Sequence, residues 1–308
     1  MHDVIIIGAG PAGLTAGMYA GRANLSTLIL GDIYGSQLAK TSLIENYPGF
    51  EEGISGMDLI TKMIEQAKIY GVKNNTSIVK EISKKDDGFQ VKTDDDTYLG
   101  LSIIIASGAH HTELGVFGEE KLAHKGVSYC ATCDGPLFRD KDVVVVGGGD
   151  SAVKEALFLT KFARKVSLVH RRDRLRATKI LQKRASSNEK MGFICESIVT
   201  EILGDDSVNG VKIKNVKTQK EKDLACQGVF IFVGIEPATK FLKGLLDTDE
   251  SGYIITDDDM VTSVDGIYAC GDARKKLFRQ VVTACGEGAT AAFSAQQYVE
   301  ELKGIAYK

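Results

Sequence analysis

Cys130 and Cys133, three positions apart and followed at once by an acid in the run Cys130-Ala131-Thr132-Cys133-Asp134, are the pair of side chains best spaced for chemistry. A C-x-x-C spacing can close a small disulfide loop, exchange electrons with a neighbouring redox centre, or supply half of a metal site. A zinc site needs two more ligands, but the chain has no second C-x-x-C, and His110, His111 and His124 lack a ligand spacing. No metal is expected. The plain structural alternative is an inert buried pair. Asp134 can hold the proton that thiol–disulfide exchange moves if burial lifts its pKa, and it can equally be a turn residue before Gly135 and Pro136.

Two glycine turns could cradle phosphate. Gly8, Gly10 and Gly13 fit G-x-G-x-x-G, with Pro11 and Ala12 in the same turn. The first glycine permits the tight turn, the second lets a pyrophosphate reach the backbone, and the third lets helix and strand pack closely, while free N–H groups at the helix start face the anion. Asp32, nineteen residues past Gly13, stands where an acid would reach a ribose hydroxyl and equally where a loop acid would face water.

Gly147, Gly149 and Ala152 give the G-x-G-x-x-A variant, with Gly148, Asp150 and Ser151 between and beside them. Where an NAD-binding chain would place an acid at the end of the next strand, this one has His170, Arg171 and Arg172, with Arg176 a short reach beyond. Guanidinium groups form bidentate bonds with phosphate, so the second site reads as one for NADPH rather than NADH. A solvated basic helix start is the competing reading, since Lys179, Lys183 and Arg184 follow, and Asp173 is a competitor for the ribose.

The elements that must hold these residues follow a repeated grammar. An apolar strand (3–7), the first glycine turn, an alanine-rich helix and a second strand (26–30) make half of a βαβ unit. The same order returns with the strand 142–146, which carries four consecutive valines, then the second turn, a helix through 162 and the strand 166–169. Between them lies the strand 98–106. The tail offers a short strand (266–269), a turn at Gly271-Asp272 and a long helix (284–303). The prediction is an α/β protein of two Rossmann-like, three-layer ββα nucleotide-binding domains. Residues 113–243 would be inserted into a discontinuous first domain of residues 1–112 and 244–308, with crossings near 112 and 243. Only eight residues separate Cys133 from Asp142, so the cysteine pair travels with the second nucleotide unit.

In family order and over essentially the whole chain, several segments resemble bacterial low-molecular-weight thioredoxin reductases. They are Gly8-Ala9-Gly10-Pro11-Ala12-Gly13, Glu45-Asn46-Tyr47-Pro48-Gly49, Val127 to Gly135, His170-Arg171-Arg172 with Arg176, and Gly271-Asp272 with Arg279-Gln280-Val281. The resemblance implies a homodimer in which electrons pass from NADPH through FAD to the Cys130–Cys133 pair and on to thioredoxin. It also implies that Leu30, Gly31, Asp32, Gln37 and Leu38 lie along the FAD, that Asn46 lies near its ring, and that Gly271, Asp272, Arg279, Gln280 and Val281 contact its ribityl-pyrophosphate and flavin. With FAD in the first site, one flavin must meet two partners carried on the other domain, which suggests domains that swing between two poses. Phe117, Tyr47 and Ala238 depart from residues common in the family, and none of them touches the chemistry; Cys285 stands near the expected flavin-binding tail, where alanine is more usual, and reads as a small buried residue rather than a redox partner.

Other readings share part of this pattern. A reductase of another disulfide protein or of a small dithiol would carry every motif named. Relatives built like glutathione reductase are disfavoured, because no cysteine precedes residue 130, and a ferredoxin-driven enzyme would not need the arginines. A redox sensor without turnover would not need two reducible centres. The net charge of −3, from 38 basic and 41 acidic residues without long single-sign blocks, predicts no nucleic-acid partner. No run approaches the roughly 18 apolar residues of a membrane span. Asp3, with no basic region before it, argues against a secretion signal, so a cytoplasmic location is expected.

Overall fold

The computed structural model describes residues 1–41 and 43–306. The chain divides into two compact units, Met1–His110 with Glu236–Lys308 and His111–Ile235.

In the first unit, β1 (His2–Ile7), α1 (Pro11–Arg22), β2 (Thr27–Leu30), α2 (Gly56–Ile69) and β3 (Lys73–Asn75) lead into a meander of β4 (Val79–Lys85), β5 (Gly88–Thr93) and β6 (Thr97–Ile105). The sheet order is β3-β2-β1-β6-β5-β4. The long strand β6 pairs with β1 along one edge and divides its other edge between two strands. Its first half pairs antiparallel with β5, and Ile103 to Ile105 pair parallel with β17 (Ile267–Ala269). Strands covered on both faces read as unbroken apolar runs, and the two faces of β1 explain its composition. Val4 and Ile6 pack with α1, α2 and α6 (Val281–Leu302), whereas Ile5 and Ile7 pack with Phe89 and Val91 of the meander. The result is three layers: helices, parallel sheet, meander.

The second unit repeats the scheme. A parallel sheet in the order β11-β10-β9-β15-β8 is built from β8 (Val127–Ser128), β9 (Asp142–Gly147), β10 (Lys165–Val169), β11 (Met191–Ile194) and β15 (Gly228–Phe232). Val143 and Val145 of β9 face α4 (Asp150–Leu159) and α5 (Lys179–Ser186). Val144 and Val146 face an antiparallel layer of β12 (Ser197–Gly204), β13 (Val208–Asn215) and β14 (Glu221–Ala225). All four valines are at most 7% exposed, and burying each contributes up to about 1.5–3 kcal/mol. A short helix, α3 (Ala131–Asp134), lies between β8 and β9.

The crossings between the units fall at 110/111 and 235/236, within the short strands β7 (Ala109–His111) and β16 (Ile235–Pro237). The second lies ahead of the expected position near 243. Leu242 and Leu246 are the reason, since both are buried among Ile5, Ile7, Leu28 and Leu30, which draws residues 236–243 into the first unit. The tail helix also starts earlier than expected, at Val281. The Gln280 N–H donates to Thr283 Oγ1 at 3.2 Å in a reciprocal cap, which fixes the first turn. The helix after the second glycine turn ends at Leu159 rather than 162. Among the described residues, no helix is long and apolar enough to cross a membrane.

Candidate active site

Cys130 and Cys133 are joined as a disulfide at the start of α3. Cys130 caps that helix: the Cys133 N–H donates to Cys130 Sγ at 3.2 Å, and the Thr132 hydroxyl lies 3.3 Å from the same sulfur. Ser128, the last residue of β8, fixes the approach, because its Oγ accepts the Cys130 N–H at 3.1 Å. Burial lifts the Asp134 carboxyl above its ordinary value, against a hydrogen bond with Ser128 and the nearby His124. A second acid, which the sequence reading did not single out, reaches the same turn from α4. Burial raises the pKa of the Glu155 carboxyl, against the influence of the Ala131 amide between the two cysteines. Its Oε2 is buried with no hydrogen-bond partner among the described residues. Among the described residues no group of three or more His, Cys, Asp or Glu side chains could hold a metal ion.

The first glycine turn has the stereochemistry its pattern requires. Gly8 has φ +112°, and a Cβ there would stand 2.1 Å from Ala106 O; a Cβ on Gly13 would stand 1.9 Å from Gly8 O. A Cβ on Gly10 would meet nothing within 4 Å, so the turn is open at the position that a pyrophosphate approaches. The Gly8 N–H donates to Leu30 O at 2.8 Å, which sets Leu30 and Gly31 beside the turn. Asp32 is exposed, and its carboxylate accepts the Tyr34 N–H at 3.0 Å, forming a local turn. Gln37 is exposed and donates to Ala109 O, and Leu38 is buried at 4% exposure.

Distant segments meet here. Asn46 Nδ2 donates to Gln280 Oε1 at 2.8 Å across 234 residues. Gly271 opens a 3₁₀ turn, Gly271–Ala273, where an ordinary β-turn would have read the same way in sequence. Its φ is +72°, and a Cβ on it would stand 2.9 Å from Ala12 Cβ, so the Gly271-Asp272 turn leans on the first helix. Arg279 lies 4.1 Å over the Tyr253 ring, and Val281 is the first residue of α6. Behind them sits an ionic cluster with no spacing signature in the chain. Glu287 accepts the Gly271 N–H at 2.8 Å and pairs with Arg274 and Lys276, each at 3.3 Å, while Lys276 also reaches Asp272 at 3.2 Å. Nε of Arg274 and of Arg279 are buried with no hydrogen-bond acceptor among the described residues. The open cradle at Gly10 and these guanidinium groups fit an anionic dinucleotide.

The second turn is closed on one side and open on the other. Gly147 has φ +152° and lies against Phe232 O and Ala152, whereas a Cβ on Gly149 would meet only Arg176 Nη2, at 4.0 Å. Gly148 is pressed on the His170 ring, where a Cβ would stand 2.2 Å from Nδ1. His170 is buried, and burial together with the neighbouring Arg176, Arg172 and Arg171 lowers its pKa. The loop that carries Arg176 folds back on the turn, because Asp150 Oδ1 accepts the Thr178 N–H at 2.6 Å. Arg171, Arg172 and Arg176 are exposed, as is Ser151. The buried imidazole beneath, exposed guanidinium groups at the rim and bare backbone at Gly149 fit a second anionic dinucleotide.

Two glycine cradles and one disulfide turn define a nucleotide-dependent redox protein of two Rossmann-like units. The chain belongs to the pyridine nucleotide-disulphide oxidoreductase family, whose model matches residues 2–288. Membership makes flavin and pyridine nucleotide the electron carriers and a disulfide the group reduced. Among its members the chain is similar to bacterial thioredoxin reductases. Those of Listeria monocytogenes and Bacillus subtilis are each 49% identical over 305 residues; the match covers 98% of this chain and 95% and 96% of theirs. The crystal structure of thioredoxin reductase from Streptococcus pyogenes matches with a TM-score of 0.94 at 51% identity, covering 98% of this chain and 99% of that one.

Proposed function

We propose that the chain is an NADPH-dependent, FAD-containing thioredoxin-disulfide reductase, with FAD at the first glycine turn and NADPH at the second. The observation that carries the reading is the Cys130–Cys133 disulfide in the same unit as the arginine-marked cradle. FAD held there would supply two-electron redox chemistry between the pyridine nucleotide and the disulfide.

The protein's part is orientation and charge. Gly10 and Gly149 let the two pyrophosphates reach the backbone. Arg171, Arg172 and Arg176 bind the extra phosphate that separates NADPH from NADH. Reduction of the disulfide breaks one S–S bond and needs two electrons and two protons to leave two thiols. The Cys133 N–H, aimed at Cys130 Sγ, stabilises negative charge on that sulfur as the bond opens. Asp134, held partly out of water, gives or takes the proton that accompanies each exchange. One cysteine then attacks the disulfide of thioredoxin, and the other resolves the mixed disulfide, which restores the Cys130–Cys133 bond and releases the partner as a dithiol. The reading carries with it a cytoplasmic homodimer.

The test uses the purified full chain loaded with FAD. NADPH should bleach the flavin under anaerobic conditions and sustain turnover of oxidised thioredoxin, NADH should do so poorly, and Cys130→Ser or Cys133→Ser should retain bleaching while abolishing turnover. Asp134→Asn should slow turnover and change its pH profile. A protein that binds no FAD, or that is bleached by NADPH but not reoxidised by thioredoxin, would overturn the reading.

A further inference from the structure

Glu119, 4% exposed, is the one buried carboxylate residue among the described residues, and its hydrogen-bond donors come from two stretches that matter to the dithiol. Oε1 accepts the Leu114 N–H at 2.9 Å, and Oε2 accepts the N–H groups of Gly115 at 2.8 Å and Val116 at 3.3 Å. These three residues lie just beyond the crossing at 110/111, after His111, Thr112 and Glu113. The fourth donor is the Tyr129 hydroxyl, 2.8 Å from Oε1. Tyr129 is the residue before Cys130. Its ring stacks on His111, the first residue of the unit, with centroids 5.3 Å apart and planes at 20°. Burial holds the phenol well above its ordinary pKa, and Glu119 adds to that, so the hydroxyl keeps the proton it donates.

A carboxylate taken out of water persists only when its lone pairs are met, and charge-assisted bonds of this kind are short and stiff. The four bonds therefore make one rigid piece of the chain entering the unit and the chain entering the cysteine pair. Ser128 and β8 fix the backbone on one side of Tyr129, while the phenol–carboxylate bond, with the stack on His111, ties it back toward the crossing.

We propose that Glu119 is a positioning residue for the redox-active pair: by joining Tyr129 to the loop after the first crossing, it holds the backbone that enters Cys130 in the geometry from which electrons are received and passed on. This rests on the reductase reading given above. Reactions between held groups are sensitive to small displacements, since a misplacement of about 1 Å can cost on the order of 100-fold in rate.

The experiment compares FAD-loaded wild type, Tyr129→Phe and Glu119→Gln by two activities, NADPH-driven reduction of ferricyanide, which draws electrons without the cysteine pair, and reduction of thioredoxin. Tyr129→Phe keeps the ring on His111 and leaves Glu119 its three backbone donors. Its ferricyanide rate should stay within about twofold of wild type while kcat for thioredoxin falls about tenfold at an unchanged KM. Glu119→Gln should show the same split, more deeply; if it does not fold, Tyr129→Phe alone decides. A Tyr129→Phe kcat within twofold of wild type on thioredoxin, or a parallel loss of both activities, would overturn the inference. A wild-type chain that reduces ferricyanide and not thioredoxin would overturn the reading beneath it.

Discussion

The carbonyl oxygen of Gly148 accepts the backbone N–H of Arg176 at 2.7 Å. That bond, with a second from the Ala177 N–H at 3.1 Å, brings a guanidinium borne on a loop beyond β10 back over the glycine turn before α4. Because the bond is made by main-chain atoms, removal of the side chain leaves the loop in place. Arg176→Ala, and more strongly the pair Arg172→Ala and Arg176→Ala, should therefore raise the KM for NADPH by about 10- to 100-fold per lost charge-assisted bond, with NADH turnover nearly unchanged. Steady-state kinetics with both nucleotides measure this, and an equal loss for NADH and NADPH would contradict it.

Gly148 and His170 form a tight pair, with a Cβ at Gly148 placed 2.2–2.6 Å from three atoms of the imidazole. Gly148→Ala should cost about 1–3 kcal/mol and weaken nucleotide binding by pushing the ring aside. His170→Ala should relieve the clash, so the double variant should lose less than the sum of the two single losses. Additive losses in a denaturation cycle would show that the contact is not the cause.

Gly288 on α6 lies so close to α1 that a Cβ would stand 2.3 Å from Ala12 O, beside the first glycine turn. A backbone oxygen cannot swing away as a side chain can. Gly288→Ala should force the two helices apart, lower the melting temperature of the first unit and speed flavin release, at a cost of about 1–3 kcal/mol. Unchanged flavin retention on heating would refute this.

Glu155 carries a pH signature. Its carboxyl is raised above the ordinary value of 4.5 by burial, so the folded chain binds this proton more tightly than the unfolded chain does. The stability it contributes is complete below the unfolded pKa and is lost as pH rises through the folded one. Glu155→Gln, which cannot ionise, should therefore gain stability relative to wild type as pH increases above 4.5, and the difference should level off once the folded pKa is passed. Urea denaturation at a series of pH values tests the sign. A difference that is constant with pH would mean that Glu155 titrates alike in both states.

Much of this molecule is written locally. The apolar runs of β1 and β9 and the two glycine turns specify strand, turn and helix through backbone stereochemistry alone: Gly8 and Gly147 adopt positive φ, and Gly13 has no room for a Cβ. The C-x-x-C spacing likewise sets two sulfurs within bonding reach inside a single helical turn. Asp32 shows where local reading runs short, since a ribose ligand and a loop acid look alike in sequence and only the bond from Tyr34 reveals the turn it makes.

What the tertiary structure alone decided is every relationship between residues far apart in the chain. Asn46 with Gln280, Glu287 with the Gly271 amide, Glu155 with the Ala131 amide, and the burial of Leu242 that moves the second crossing to 235/236 have no period or motif behind them. Short-range motifs are legible because the chain itself holds their atoms together. Long-range contacts come into being only when sheets and helices bury their apolar faces, and that packing selects which polar groups meet.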